Sequence, residues 1–187
     1  MFVALAINAG QQLCGIGMLA SYSTLIYQRT FSDTDTIFLI NAIYGMLSIL
    51  FTLSCTLLIE RLGRRKILLI GAAGQGISLL IISIIGAATP ENPDKTRPYG
   101  VGIATASLFH VFAVFYKPSW GATVWVYTSE IFSTDVRAHA VAMASQTQSV
   151  VSTILNQFFP LFLAKCGFYT FFFFAGLNIF LFLGTWL

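Results

Sequence analysis

The sequence predicts an all-α transmembrane protein, a bundle of six spanning helices. Three observations carry this. Of 187 residues, 57% are hydrophobic and 9% charged, against about 25% charged in a soluble domain. The apolar residues fall into runs near the ~20 residues that cross a bilayer as helix. The polar stretches between runs are short, so neighbouring spans are antiparallel. Backbone groups in lipid must be paired within their own segment, which selects helices over open strands. The expected main partner is therefore the lipid bilayer.

The spans are expected at about 3–27, 37–59, 67–88, 101–128, 140–164 and 168–187. Their direction follows from basic residues in short loops. Arg61, Arg64, Arg65 and Lys66 cluster after the second span, and Arg137 adds to that side. Arg29, Lys95, Arg97 and Lys165 lie opposite, partly balanced by Asp33, Asp35, Glu91 and Asp94. The clustered side is expected to be cytoplasmic, with both termini on it and the Ala88–Pro98 loop outside. Met1 runs at once into apolar residues without a basic lead, so no signal peptide is expected there. The last apolar run stops at Trp186-Leu187. A piece of a larger membrane protein, or a partial gene model, is expected.

Composition also excludes several classes. The net charge of +3 sits mainly in one loop, which argues against a nucleic-acid partner. Cys14 and Cys55 lie in apolar runs and Cys166 in a turn, with no metal or disulfide spacing. They read as small hydrophobes, and no cofactor or metal is expected. The glycine-rich run Gly71–Gly76 lies inside an apolar span with no strand before it, so it is no dinucleotide loop. Small residues there suit close helix packing. His110 and Lys117 are too thin a set for a membrane enzyme.

Polar residues inside spans are costly, so their alignment matters. Gln11, Gly15, Met18 and Tyr22 share a face of the first span, with Gln12 beside them. Asn41, Gly45, Ser48 and Thr52 repeat the spacing in the second span, and Ser145, Gln148, Ser149, Ser152 and Asn156 in the fifth. Such stripes either glue helices together or converge on a watery passage. A glutamine amide, with two donors and an acceptor, favours the passage for Gln11, Gln12 and Gln148.

Lys117 sits near the middle of the fourth span. An ammonium at that depth costs about 3 kcal/mol unless water or an acid meets it. It either contacts solute or pairs with an acid on a helix outside this chain. Pro118 follows, removes one helix hydrogen bond and favours a kink. From Lys117 to Arg137 the chain carries Trp120 and Trp125, then the charged exit at Ser129-Glu130.

Four motifs in fixed order resemble the C-terminal half of the sugar porters of the major facilitator superfamily. They are Gln11-Gln12 with Gly15; Glu60-Arg61 with Gly63-Arg64-Arg65; Gly121 and Trp125 with Ser129-Glu130-Ile131-Phe132 and Arg137; and Gly167-Phe168-Tyr169-Thr170-Phe171-Phe172. The resemblance covers nearly the whole chain. It implies that the six spans are helices seven to twelve of a twelve-helix carrier, whose N-terminal half is a missing partner. It implies that Gln11, Gln12 and Gln148 hydrogen-bond a sugar and that Gly121 and Trp125 line its site, with Lys117 added here. It also implies that Glu60, Arg64, Arg65, Glu130 and Arg137 latch the two halves on the cytoplasmic side.

Departures from the family pattern stand at Gly17, Ser21-Tyr22, Ser48, Ala122, Val124 and Ser149. With Lys117, they point to a sugar other than glucose or to an acidic polyol such as quinate. The function expected is transport of such a solute by alternating access, at the plasma membrane, with protons as a further partner where the missing half supplies an acid. A non-transporting nutrient sensor and a nonfunctional truncated product are the alternatives.

Overall fold

The computed structural model describes residues 2–28, 34–89, 99–166 and 169–186. The expectations resting on Arg29, Asp33, Glu91, Asp94, Lys95 and Arg97, on Gly167-Phe168, and on the side chains of Met18, Tyr22 and Lys165 lie outside those residues. Among the described residues the chain is helical throughout, with no strand.

The first span is not one helix. It divides into α1, Phe2–Leu13, and α2, Ile16–Gln28. Gly15 between them has φ +91°, a left-handed conformation that glycine adopts without strain. The Gly15 N–H turns back to the Gln12 carbonyl at 3.1 Å, and α2 begins with Leu19 N–H on the Gly15 carbonyl at 3.1 Å. Gln11 and Gly15 therefore do not share a continuous helical face. The step-of-four reading assumed unbroken helix, and the left-handed Gly15 ends it.

The second and third spans form a hairpin. α3, Thr34–Leu62, and α4, Arg64–Ala88, are joined by Gly63 alone, at φ +78°. The fourth span has three parts: α5, Tyr99–Tyr116; a π-helical turn, Lys117–Gly121; and α6, Thr123–Ile131. α7, Thr134–Cys166, contains Pro160, and α8 covers Thr170–Trp186. The charged stretch before α7 is shorter than the sequence implies, because helix already holds Arg137 and His139. Cys166 likewise ends α7 instead of lying in a turn.

Among the described residues, three stretches are long and apolar enough to cross a membrane by length and composition: Asp35–Cys55, Arg64–Ala88 and Gly100–Ile131. Fewer stand out than the sequence reading expects. The break divides the first span into helices of 12 and 13 residues. The Ser, Thr, Gln and Asn of α7 dilute its 33 residues, and α8 has 17.

α4 is the packed centre. Over half of its spanning window is buried (56%), against 6% for α3. It lies against α8 and α5, around a core that includes Leu79, Ile82, Phe109, Phe112, Trp120 and Phe171. Closeness depends on glycine. A Cβ at Gly71 would collide with the Ser119 side chain, and one at Gly74 with the Phe115 ring.

Gly74→Ala is therefore expected to destabilise the folded protein by roughly 1–3 kcal/mol through overpacking. Gly176→Ala, where a Cβ meets nothing within 4 Å, gains about 0.5–1 kcal/mol of helix preference. Thermal unfolding in detergent should show opposite shifts. A Gly74→Ala protein that unfolds with the wild type would contradict the packing account.

Candidate solute site at two helix interruptions

Pro118 has no N–H to give the helix ladder, and the chain responds by widening to a π turn. The Ala122 N–H reaches the Lys117 carbonyl at 3.2 Å, and side chains meet the other displaced carbonyls. Thr123 Oγ1 donates to Pro118 O at 2.9 Å, and Cys55 Sγ donates to the same carbonyl at 3.1 Å. Ser119 Oγ donates to the Phe115 carbonyl. Trp120, 2% exposed, anchors the turn by donating its Nε1–H to Leu68 O at 3.1 Å. Trp120 is thus a core residue, whereas Trp125 stands out from α6 at 37% exposure.

One displaced carbonyl faces the end of α1. Gln11 Nε2 donates to Gly121 O at 3.1 Å. Gln11 is 3% exposed, and its Oε1 has no hydrogen-bond partner. Its nitrogen thus holds two interrupted helices together, while its oxygen remains a buried acceptor without a donor. A second tie runs parallel to it. Asn8 Nδ2 donates to Thr128 Oγ1 at 2.8 Å, joining α1 to α6.

Gln12 is half-buried and turns another way. Its Oε1 lies 3.3 Å from the point where a Cβ on Gly17 would stand, and Ser152 Oγ of α7 lies 3.9 Å from the same point. The bare Gly17 thus leaves room for a glutamine amide beside a serine hydroxyl. Gln148, also half-buried, lies one turn before Ser152 on α7. Gly121 lies in the π turn at partial exposure. Lys117, half-buried at the head of that turn, has no ion-pair partner among the described residues.

Two turns before Lys117 in the same span, His110 of α5 bonds through Nδ1 to the Ala106 carbonyl at 2.6 Å. Its ring meets Tyr44 edge-on, with centroids 5.9 Å apart. His110 Nε2 is buried without a partner among the described residues, and the Tyr44 hydroxyl is buried beside that of Ser48. Tyr44 escaped the sequence reading because one tyrosine in an apolar run reads as packing. Its position one turn before Ser48, on the polar stripe of α3, is the signal that could have found it.

The charged end is only partly assembled. Arg64 Nη2 and Glu130 Oε1 form an ion pair at 2.6 Å, with side chains 47% and 44% exposed. Arg65 donates to the Thr185 carbonyl at 3.3 Å and to that of Trp186, capping α8. Glu60 and Arg137 are exposed and have no ion-pair partner among the described residues.

Known proteins resemble this chain in sequence and in fold. The model of the family described as sugar (and other) transporter matches residues 1–187. A probable quinate permease of Aspergillus terreus is 35% identical over 183 residues, covering 96% of this chain and 34% of that protein. The quinate permease of Emericella nidulans is 34% identical over 183 residues, with the same coverage. The chain thus spans about a third of the length of these relatives. Among solved structures, the major facilitator proton:xylose symporter XylE bound to 6-bromo-6-deoxy-D-glucose superposes with a TM-score of 0.83 at 22% identity, covering 99% of this chain and 38% of that one. The partially occluded inward-open xylose transporter XylE from E. coli gives 0.81 at 22%, with the same coverage. Matched in sequence along its whole length, this integral membrane chain belongs to the sugar (and other) transporter family.

Proposed function

We propose that this chain is the C-terminal half of a carrier that moves a sugar or polyol across the plasma membrane by alternating access. The observation that carries this is the Gln11 amide. It is buried where two interrupted helices meet, tied by its nitrogen to Gly121 O and open at its oxygen. Carriers place solute where interrupted helices expose backbone and side-chain groups near mid-membrane. Here Gln11 Oε1 accepts a solute hydroxyl. Gln12 and Gln148 supply further hydrogen bonds from α1 and α7. Trp125 offers a ring face beside Gly121. A few net hydrogen bonds of ~1 kcal/mol each, less binding costs, give millimolar to micromolar affinity. That range allows release.

Lys117 narrows the class. An ammonium without an ion partner among the described residues, in a chain whose relatives are named quinate permeases, favours a solute carrying both hydroxyls and a carboxylate. At the basic end, which faces the cytoplasm together with the termini, Glu60, Arg64, Arg65, Glu130 and Arg137 latch this half to its missing N-terminal partner. An exposed pair such as Arg64–Glu130 contributes at most ~1 kcal/mol, which suits a contact broken in every cycle. Proton coupling, where it occurs, draws on an acid of the other half. This reading makes the chain part of a carrier and not an enzyme.

The two glutamines are expected to separate in experiment. Gln11→Leu strips the donor from Gly121 O and lowers stability by ~1–3 kcal/mol while weakening solute binding. Gln12→Leu leaves stability within about 0.5 kcal/mol and weakens binding roughly fivefold to tenfold. Thermal unfolding and solute titration of the full-length protein test this; identical effects of the two changes would overturn the separate roles. For Lys117→Ala, uptake of a carboxylate-bearing polyol should drop at least about tenfold, with neutral sugar uptake much less affected. Indifference of every acidic candidate to that change would remove the basis for an acid substrate.

A further inference from the structure

The break in the first span leaves backbone groups that lipid does not satisfy, and α8 meets them. Asn178 is fully buried in the apolar run Thr170–Trp186. Its Nδ2 donates twice: to Phe174 O on its own helix at 2.8 Å, and to Cys14 O in the break at 3.3 Å. Phe174, one turn earlier, covers Gly15 so closely that a Cβ there would lie 3.2 Å from the ring. One amide and one ring thus hold both residues of the break. Behind them stands the α4–α8 wall, where a Cβ on Gly76 would lie 3.4 Å from Asn178 Cβ.

α1 is tied to the fourth span by Asn8–Thr128 at 2.8 Å and Gln11–Gly121 at 3.1 Å. A Cβ on Gly10 would lie 3.2 Å from the Trp120 ring. α2 lies against α3, α5 and α7. Ser23 Oγ donates to Asn41 Oδ1 at 3.4 Å, Asn41 Nδ2 donates to Thr24 Oγ1 at 3.5 Å, and Tyr27 packs in the core with its ring centroid 6.0 Å from that of Phe109.

We propose that Asn178 is a positioning residue that fixes the pivot at Cys14-Gly15, and with it the angle that α2 makes with the end of α1 and its glutamines. This rests on the alternating-access reading above. Without the Asn178 amide, the Cys14 carbonyl loses a donor and the pivot wanders. Solute binding survives, because Gln11 keeps its own anchor on Gly121.

The test uses the full-length protein in proteoliposomes, with radiolabelled quinate and D-xylose as probes. Wild-type protein that moves neither probe would sink the carrier reading itself. Where the wild type transports, Asn178→Leu is expected to cut turnover roughly tenfold while equilibrium binding changes less than about threefold. Cys14, 0% exposed, reports locally: its alkylation should accelerate while that of Cys55, in the π-turn contact, does not. Ser83→Ala, which removes a buried hydroxyl bonded only within α4, should match the wild type. Should Asn178→Leu not assemble, Asn178→Ser is read the same way, with smaller effects in the same direction. Wild-type turnover and Cys14 reactivity in the variant overturn the proposal. So does equal acceleration at Cys14 and Cys55, which would mean general loosening.

Discussion

The hydrogen bond from Gln11 Nε2 to Gly121 O is the constraint on which the rest of the arrangement depends. A helix can be interrupted in lipid only if something else meets the freed backbone groups. Here two interruptions meet each other. The left-handed Gly15 ends α1 one turn beyond Gln11, and Pro118 forces the π turn that turns the Gly121 carbonyl out of the ladder. One glutamine amide bridges the gap and retains an acceptor. The tie and the open acceptor therefore reside in the same side chain, on different atoms.

The surroundings keep those interruptions in register. Gly71 and Gly74 let α4 approach the π turn, Trp120 ties the turn to Leu68 O, and Cys55 and Thr123 hold Pro118 O. Opposite lies weaker material. The ion pair at the basic end is half-exposed, and α3 presents Phe38, Leu39, Met46 and Leu53 outward. The fold thus joins a firm centre, α4 with α8 and the π turn, to edges with little holding them within this chain.

Much of this was legible in the sequence. Runs of apolar residues located the helices, and Pro118 announced a kink because a missing N–H is a local fact. The break at Gly15 was not legible. A glycine in an apolar run serves equally for packing or turning, and the groups that settle the matter, Phe174 and Asn178, come some 160 residues later. The same holds for Trp120 and Trp125. Both are tryptophans in one apolar segment, and only the Leu68 carbonyl distinguishes the buried anchor from the outstanding ring. Gln11 and Gln12 were legible as a pair, but that one is a tie and the other is not depends on where Gly121 and Gly17 lie in space.

The central claim is that solute sits between the two interruptions, against α1, α7 and the π turn. Reporter cysteines in the full-length protein test it most directly: Ser152→Cys beside the Gln12 amide, and Ile77→Cys on the exposed face of α4 (58% exposed). The account predicts that a transported solute slows alkylation at Ser152→Cys, in proportion to site occupancy, and leaves Ile77→Cys unchanged. Equal alkylation of Ser152→Cys with and without a saturating transported solute would contradict it.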